Sequence, residues 1–183
     1  MQRIKPIEQS TAVGKTAQLF ETIQSQMGMV PNVLSTIGQS SVALEGYLGF
    51  SNALNNGELS PQLREQIALC TAGVNQCDYC ASAHSLMARN AGLTEQEVVS
   101  NLAGKSKDRQ SQSALTFVSR ILTKRGNIRE EDLIDIRDAG FSEAEIVEIV
   151  ANTIMNVFTN YFNHIAKTVI DFPVVSTANL NTV

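Results

Sequence analysis

Apolar residues recur along most of this chain at spacings of three and four, the period of helices with one buried face. Leu63, Ile67, Cys70 and Val74 form such a set behind Ser60-Pro61, a capping hydroxyl followed by proline at the first helical position. The pattern predicts a helix over 61–74, a break at Gly73-Val74-Asn75, and a second helix from near Gln76 that ends at Gly92. Thr94 to Glu97 reads as a capping box, with Leu93 and Val98 as its hydrophobic staple. After a polar connection at 104–108, Leu115, Val118, Ile121 and Leu122 mark a long helix to about Lys124. A short helix is predicted over 129–138, closed by Gly140. Ser142 to Glu145 repeats the capping box, stapled by Phe141 and Ile146, and the helix it starts is predicted to run towards Ile170 and stop before Pro173. Upstream, helices are predicted over 16–27 and 41–55, joined through Met29-Val30-Pro31-Asn32. The tail from Val174 reads as polar and extended. No βαβ alternation is present, so the pattern points to an all-α fold in a single domain over 1–183.

One internal echo accompanies these boundaries. Ala91 to Val99 resembles Ala139 to Val147: helix stop, staple, cap and restart. Convergent capping chemistry and duplication of a helical hairpin both explain it. Under duplication, Arg125, Ile128 and Asp132 occupy the places of Cys77, Cys80 and His84, so the second copy has lost the chemistry.

Composition narrows the function classes. Hydrophobic residues make up 43% of the chain and charged residues 17%, enough apolar material for a core and too little charge for disorder. A net charge of −4 with no basic run argues against nucleic acid as a partner. The apolar runs are too short for a membrane span, and the first twenty residues hold no apolar signal block. A soluble, cytoplasmic protein is expected. Three cysteines, two of them close together, suggest catalysis or metal binding rather than a disulfide framework.

Cys77 and Cys80 are three residues apart and His84 follows four later, so on a helix all three fit within an arc of roughly 60°. Asp78 and Tyr79 then point elsewhere. The pair falls in the first turn of its helix, where free N–H groups and the dipole favour thiolate, the attacking form of the sulfur. If the two helices flanking residue 75 pair as an antiparallel hairpin, Glu65 comes within reach of His84, where a carboxylate holds the tautomer and raises basicity. Glu65, His84 and Cys80 then form a proton relay for a thiol. Zinc is the chemical rival, since Cys77, Cys80, His84 and Glu65 offer four ligands, although three on one short helical stretch make a closed tetrahedron awkward. Cys70 projects about 140° from Glu65 and is expected to be a small buried hydrophobe. His164, with Asn160 and Tyr161, makes a polar cluster in an apolar helix; it reads either as a hydrogen-bonded interhelix or intersubunit contact or as a wall of the active-site cleft. Met27, Met29 and Phe50 are expected in the core or at an oligomer interface.

Glu65, eleven residues, Cys77-x-x-Cys80, three residues and His84 resemble the active-site motif of alkylhydroperoxidase D-like members of the carboxymuconolactone decarboxylase superfamily. The resemblance covers Leu59 to Val98, and the surroundings of Met29 to Asn32 and Asn160 to His164 are similar to peroxidase-related members. It implies an alkylhydroperoxidase D-like helical bundle whose antiparallel hairpin carries the CxxC site, assembled as trimers or hexamers. It further implies hydroperoxide reduction coupled to disulfide formation, with Cys77 and Cys80 as the redox pair and Glu65 and His84 as the proton relay. No flavin, nucleotide or metal motif is present, so no cofactor is expected and an external thiol or dithiol is expected to supply electrons. The family's motif carries a histidine just before the second cysteine; here that residue is Tyr79, which cannot supply imidazole chemistry and implies a weaker relay or a different substrate. The namesake decarboxylases generally lack the cysteine pair, which argues against lactone decarboxylation. Two other readings stand beside the peroxidase: a disulfide-exchanging or redox-responsive protein, and a helical assembly module whose cysteines hold a metal.

Overall fold

The computed structural model describes residues 1–178. Among these residues the secondary structure is a short 3-10 turn and nine α-helices, with no strand. The helices are α1 (Gly14–Met27), α2 (Asn32–Ile37), α3 (Ser41–Asn55), α4 (Pro61–Asn75), α5 (Asp78–Asn90), α6 (Glu95–Leu102), α7 (Arg109–Lys124), α8 (Glu130–Asp138) and α9 (Glu143–Ala166).

Helix α4 is the central post. It packs against α5, α6, α7 and α9, and Gln66 to Ala72 is a continuous buried run, as expected of a helix surrounded on all sides. One apolar cluster gathers Phe20, Leu34, Leu44, Leu69 and Leu102 with both cysteines of the pair. A second gathers Ile67, Leu115, Val118, Ile136 and Ile149. The cysteine pair therefore grows out of the first cluster.

The capping logic is realised at each predicted start. Ser60 accepts from the Leu63 N–H at 3.2 Å with Pro61 behind it. Both capping boxes form, and their staples, Leu93 with Val98 and Phe141 with Ile146, are buried.

Four boundaries differ from the sequence expectation. Gly73 does not break α4, which continues to Asn75. A Cβ on Gly73 would lie 1.9 Å from the Leu102 carbonyl oxygen, so the glycine serves close approach of α6 rather than a stop. The chain turns instead at Gln76, in the left-handed region at φ 55°, and α5 starts only at Asp78. Helix α2 was not foreseen, because six residues are too few to show a helical period. Helix α9 ends four residues before Ile170, at a left-handed Lys167, where the Arg3 and Ile4 N–H groups take up the Ala166 carbonyl. Arg125 closes α7 with the same left-handed geometry as Gln76.

The predicted tail is pinned along its described part. Val175 N–H donates to Ser82 Oγ at 2.9 Å, and Thr177 N–H donates to Asp78 Oδ1 at 2.7 Å. The rest of that tail, 179–183, lies outside the described residues. Met27 and Phe50 are exposed rather than in the core. Val147, Val150, Ile154, Phe158, Tyr161 and Ile165 make an exposed apolar stripe along α9. No described helix is long and apolar enough to cross a membrane.

Candidate active site

The left-handed Gln76 folds the chain back so that α5 packs on α4, and Cys77 becomes the N-cap of α5. Its sulfur accepts the Cys80 N–H at 3.4 Å, the role usually taken by serine or aspartate. Cys80 stands one turn into the helix, and the two sulfurs are 2.8 Å apart in hydrogen-bond contact. Both are free thiols and both are buried. The hydrogen bond between them ties their titrations together, so when one proton leaves the pair the other is shared across the contact. The Cys80 thiol hydrogen-bonded to Cys77 pulls the Cys77 thiol below its ordinary value against the opposing effect of burial, and the helix N–H and the His84 charge add to this. The same hydrogen bond, followed by burial and the Cys77 charge, pushes Cys80 well up, while the Asn163 and Asn160 amides oppose the rise. Cys77 is thus the sulfur that ionises first.

His84 lies four residues beyond Cys80 on α5, and its Nδ1 is 2.8 Å from Glu65 Oε2 of α4. Each of these two side chains is 20% exposed. Burial alone would push the His84 imidazole down; the Glu65 carboxylate, by charge and by hydrogen bond, outweighs it with help from Cys77, so the net shift is upward. With Nδ1 engaged by Glu65, Nε2 is the ring atom left for proton exchange.

Cys80, His84 and Glu65 line one cavity of about 690 Å³, bounded by α1, α2, α3, α4, α5 and α9. Cys77 is not among its lining residues, so the sulfur facing the cavity is Cys80. The walls are largely apolar, including Leu19, Ile23, Val33, Leu48, Met87 and Phe172, with Tyr47, Arg64, Asn152, Asn156 and Asn163 as polar points. Burial pushes the Tyr47 phenol up to about 12, and the Cys80 and Glu65 charges add to it, so Tyr47 keeps its proton at neutral pH.

Tyr79 does not point away from the site, as helical register alone suggested; it lines this same cavity. Its hydroxyl donates to Asp171 Oδ1 at 2.7 Å and accepts the Val33 N–H at 3.1 Å, and its ring meets Phe172 edge-on at 5.7 Å. Burial drives the phenol far above its ordinary value, so Tyr79 is a neutral strut tying α5 to α2 and the tail. Asp78 does turn away, taking both the N–H and the hydroxyl of Thr177.

The sequence reading missed Asn163, whose Nδ2 donates to Cys80 Sγ at 3.3 Å. The sequence signals were the cluster of amides beside His164 and the resemblance over Asn160 to His164, neither of which gave Asn163 a role. His164 itself makes an interhelix contact: its Nε2 is 3.0 Å from the Asn75 carbonyl oxygen, and it does not line the cavity. Cys70 is fully buried beside Ser119, and burial raises its thiol to about 11, so it is inert packing. Among the described residues no three His, Cys, Asp or Glu side chains are grouped to hold a metal ion.

Residues 42–115, which include Glu65, both cysteines and His84, match the carboxymuconolactone decarboxylase family. An uncharacterised peroxidase-related protein from Silicibacter sp. TM1040 superposes with a TM-score of 0.78 at 25% identity, covering 91% of each chain. An alkylhydroperoxidase AhpD-core, peroxidase-related protein from Ralstonia eutropha JMP134 gives 0.84 at 22% identity, covering 93% of this chain and 92% of its own. The debrominase Bmp8, in complex with 2,3,4-tribromopyrrole, gives 0.79 at 20% identity, covering 92% and 91%. No curated protein matches the sequence. The fold is therefore alkylhydroperoxidase D-like. The chain is thus similar over residues 42–115 to the carboxymuconolactone decarboxylase family, and over nearly its whole length it shares the fold of these structures.

Proposed function

We propose that this chain is a thiol-dependent peroxidase that reduces hydroperoxides through Cys77 and Cys80, with Glu65 and His84 moving the proton. The observation that carries this reading is the set Cys80, His84 and Glu65 on one cavity wall, with Cys77 in contact behind the attacking sulfur. The dithiol gives one proton to His84, the remaining proton passes to Cys77, and the Cys80 thiolate attacks the distal oxygen of the hydroperoxide. The O–O bond breaks, an S–O bond forms, and the alkoxide leaves as alcohol with a proton from the His84 imidazolium. Cys77 gives up its proton, its thiolate displaces water from the sulfenic acid, and a disulfide forms. An external thiol or dithiol then reduces the disulfide by exchange. In sum, one hydroperoxide and two thiols give one alcohol, one water and one disulfide. The apolar walls and the volume of about 690 Å³ suit an organic hydroperoxide rather than hydrogen peroxide alone.

The likeness to a debrominase supports a second reading on the same dithiol. On that reading Cys77 and Cys80 would give two electrons and a proton to a brominated aromatic, the C–Br bond becoming C–H, bromide leaving and the two sulfurs closing to a disulfide. Plain disulfide exchange needs only the sulfurs and leaves the Glu65–His84 pair without a task. A second copy of the chain covers the exposed apolar stripe of α9.

Turnover of cumene hydroperoxide with dithiothreitol tests the reading. Cys80→Ser should abolish turnover, and His84→Ala should lower kcat/KM by about 10²-fold or more, the usual reach of a positioned acid–base group. Turnover by Cys80→Ser at the native rate would contradict it. Bromide release from a bromopyrrole without hydroperoxide turnover would favour the second reading.

A further inference from the structure

Asn163 stands in α9 across the cavity from α5 and is 6% exposed. One end of its amide, Nδ2, donates to Cys80 Sγ at 3.3 Å; the other end, Oδ1, is buried with no hydrogen-bond partner. A buried amide oxygen left unpaired is costly, and natural structures keep few of them. One turn earlier, fully buried Asn160 leaves its Nδ2 unpaired too. Its orientation is fixed from behind: Asn75 Nδ2 donates to Asn160 Oδ1 at 3.0 Å, and the Asn75 carbonyl is held by His164 Nε2 at 3.0 Å. With its oxygen taken, Asn160 can offer only N–H forwards.

We propose that Asn163 is a catalytic residue and Asn160 its companion, their amide N–H groups forming a donor cradle that places the negative charge of the dithiol pair on Cys80, the sulfur facing the cavity. The proposal addresses a conflict within the site. The N-cap position of Cys77, the Cys80 N–H on its sulfur and the nearby imidazole draw the charge to Cys77, which does not line the cavity. Attack on a cavity-bound oxidant needs the charge on Cys80. The hop of one proton across a 2.8 Å contact is all that separates the two forms, and a fixed amide donor at Cys80 lowers the energy of the reactive one. Both amides favour the Cys80 anion against the burial that opposes it. Asn160, His164 and Asn75 thereby acquire a role: they orient the cradle. On the peroxidase reading, the free Oδ1 of Asn163 accepts the O–H of the hydroperoxide poised at that sulfur.

The test isolates Cys80 in a Cys77→Ser background, which keeps a capping hydroxyl, and follows the pH dependence of iodoacetamide alkylation at Cys80 by peptide mass spectrometry. Adding Asn163→Leu should raise the alkylation midpoint by about one pH unit, the loss of one charge-assisted hydrogen bond. Asn163→Ser, smaller and polar, should shift it the same way if the leucine variant does not fold. An unchanged midpoint in a folded variant of either kind overturns the proposal. The readout uses no peroxide, so a raised midpoint in a chain that does not turn over cumene hydroperoxide supports the cradle while sinking the peroxidase reading. On that reading, Asn163→Leu with Cys77 restored should lower kcat/KM for the hydroperoxide about tenfold.

Discussion

His84 sets the charge balance of the cavity wall. Its pKa is raised in the folded chain because the Glu65 carboxylate outweighs burial. The pair therefore stabilises the fold fully below the ordinary imidazole pKa, and the contribution is lost as pH rises through the folded-state value. Glu65→Gln should destabilise the protein more at pH 6 than at pH 9, a trend read from denaturant midpoints at the two pH values. Equal losses at both would mean that the imidazole is not stabilised as a cation. Tyr79 works by geometry instead of charge. Tyr79→Phe should cost about 1–3 kcal/mol, since it removes the donor to Asp171 and strands the Val33 N–H. The sequence made Glu65 and His84 legible because helical register and a tight turn suffice to bring them together. Tyr79 and Asn163 were not legible, because their partners, Asp171 and Cys80, lie 92 and 83 residues away in sequence and no local pattern reports such contacts.

Helix α5 can carry this chemistry because of how α4 ends. Gln76 adopts the left-handed turn that glycine usually fills, and Cys77 replaces the usual oxygen cap with sulfur. Gly73, one turn earlier, lets α6 close on α4. Gly73→Ala should destabilise the fold by about 3 kcal/mol, the upper range for overpacking, because the backbone carbonyl it meets has little freedom to move. Denaturant unfolding checks this, and a loss below about 0.5 kcal/mol would show that α6 is free to shift. Helix starts were readable from Ser60, Thr94 and Ser142, whose caps are local chemistry. The end of α9 was not, because the chain segment that satisfies it comes from residues 3 and 4.

At the scale of the molecule, two surfaces matter: the inner one around the cavity and the outer one along α9. The exposed residues Val147, Val150, Ile154, Phe158, Tyr161 and Ile165 follow each other by three or four positions, the spacing of a helix seam, with no charge among them. A second copy of the chain is the proposed cover. Ile154→Lys should shift the sedimentation coefficient towards that of the monomer without unfolding the protein, and an unchanged coefficient would remove the stripe from the interface. The all-α class was readable from periodicity, whereas the cavity, built by six helices far apart in sequence, was not. The central claim is that Cys80 is the sulfur that takes the oxygen. Cys77→Ser treated with one equivalent of cumene hydroperoxide and dimedone, then digested and weighed, tests it most directly. The account predicts a single sulfenic-acid adduct on Cys80; an unlabelled Cys80 alongside consumed hydroperoxide would contradict it.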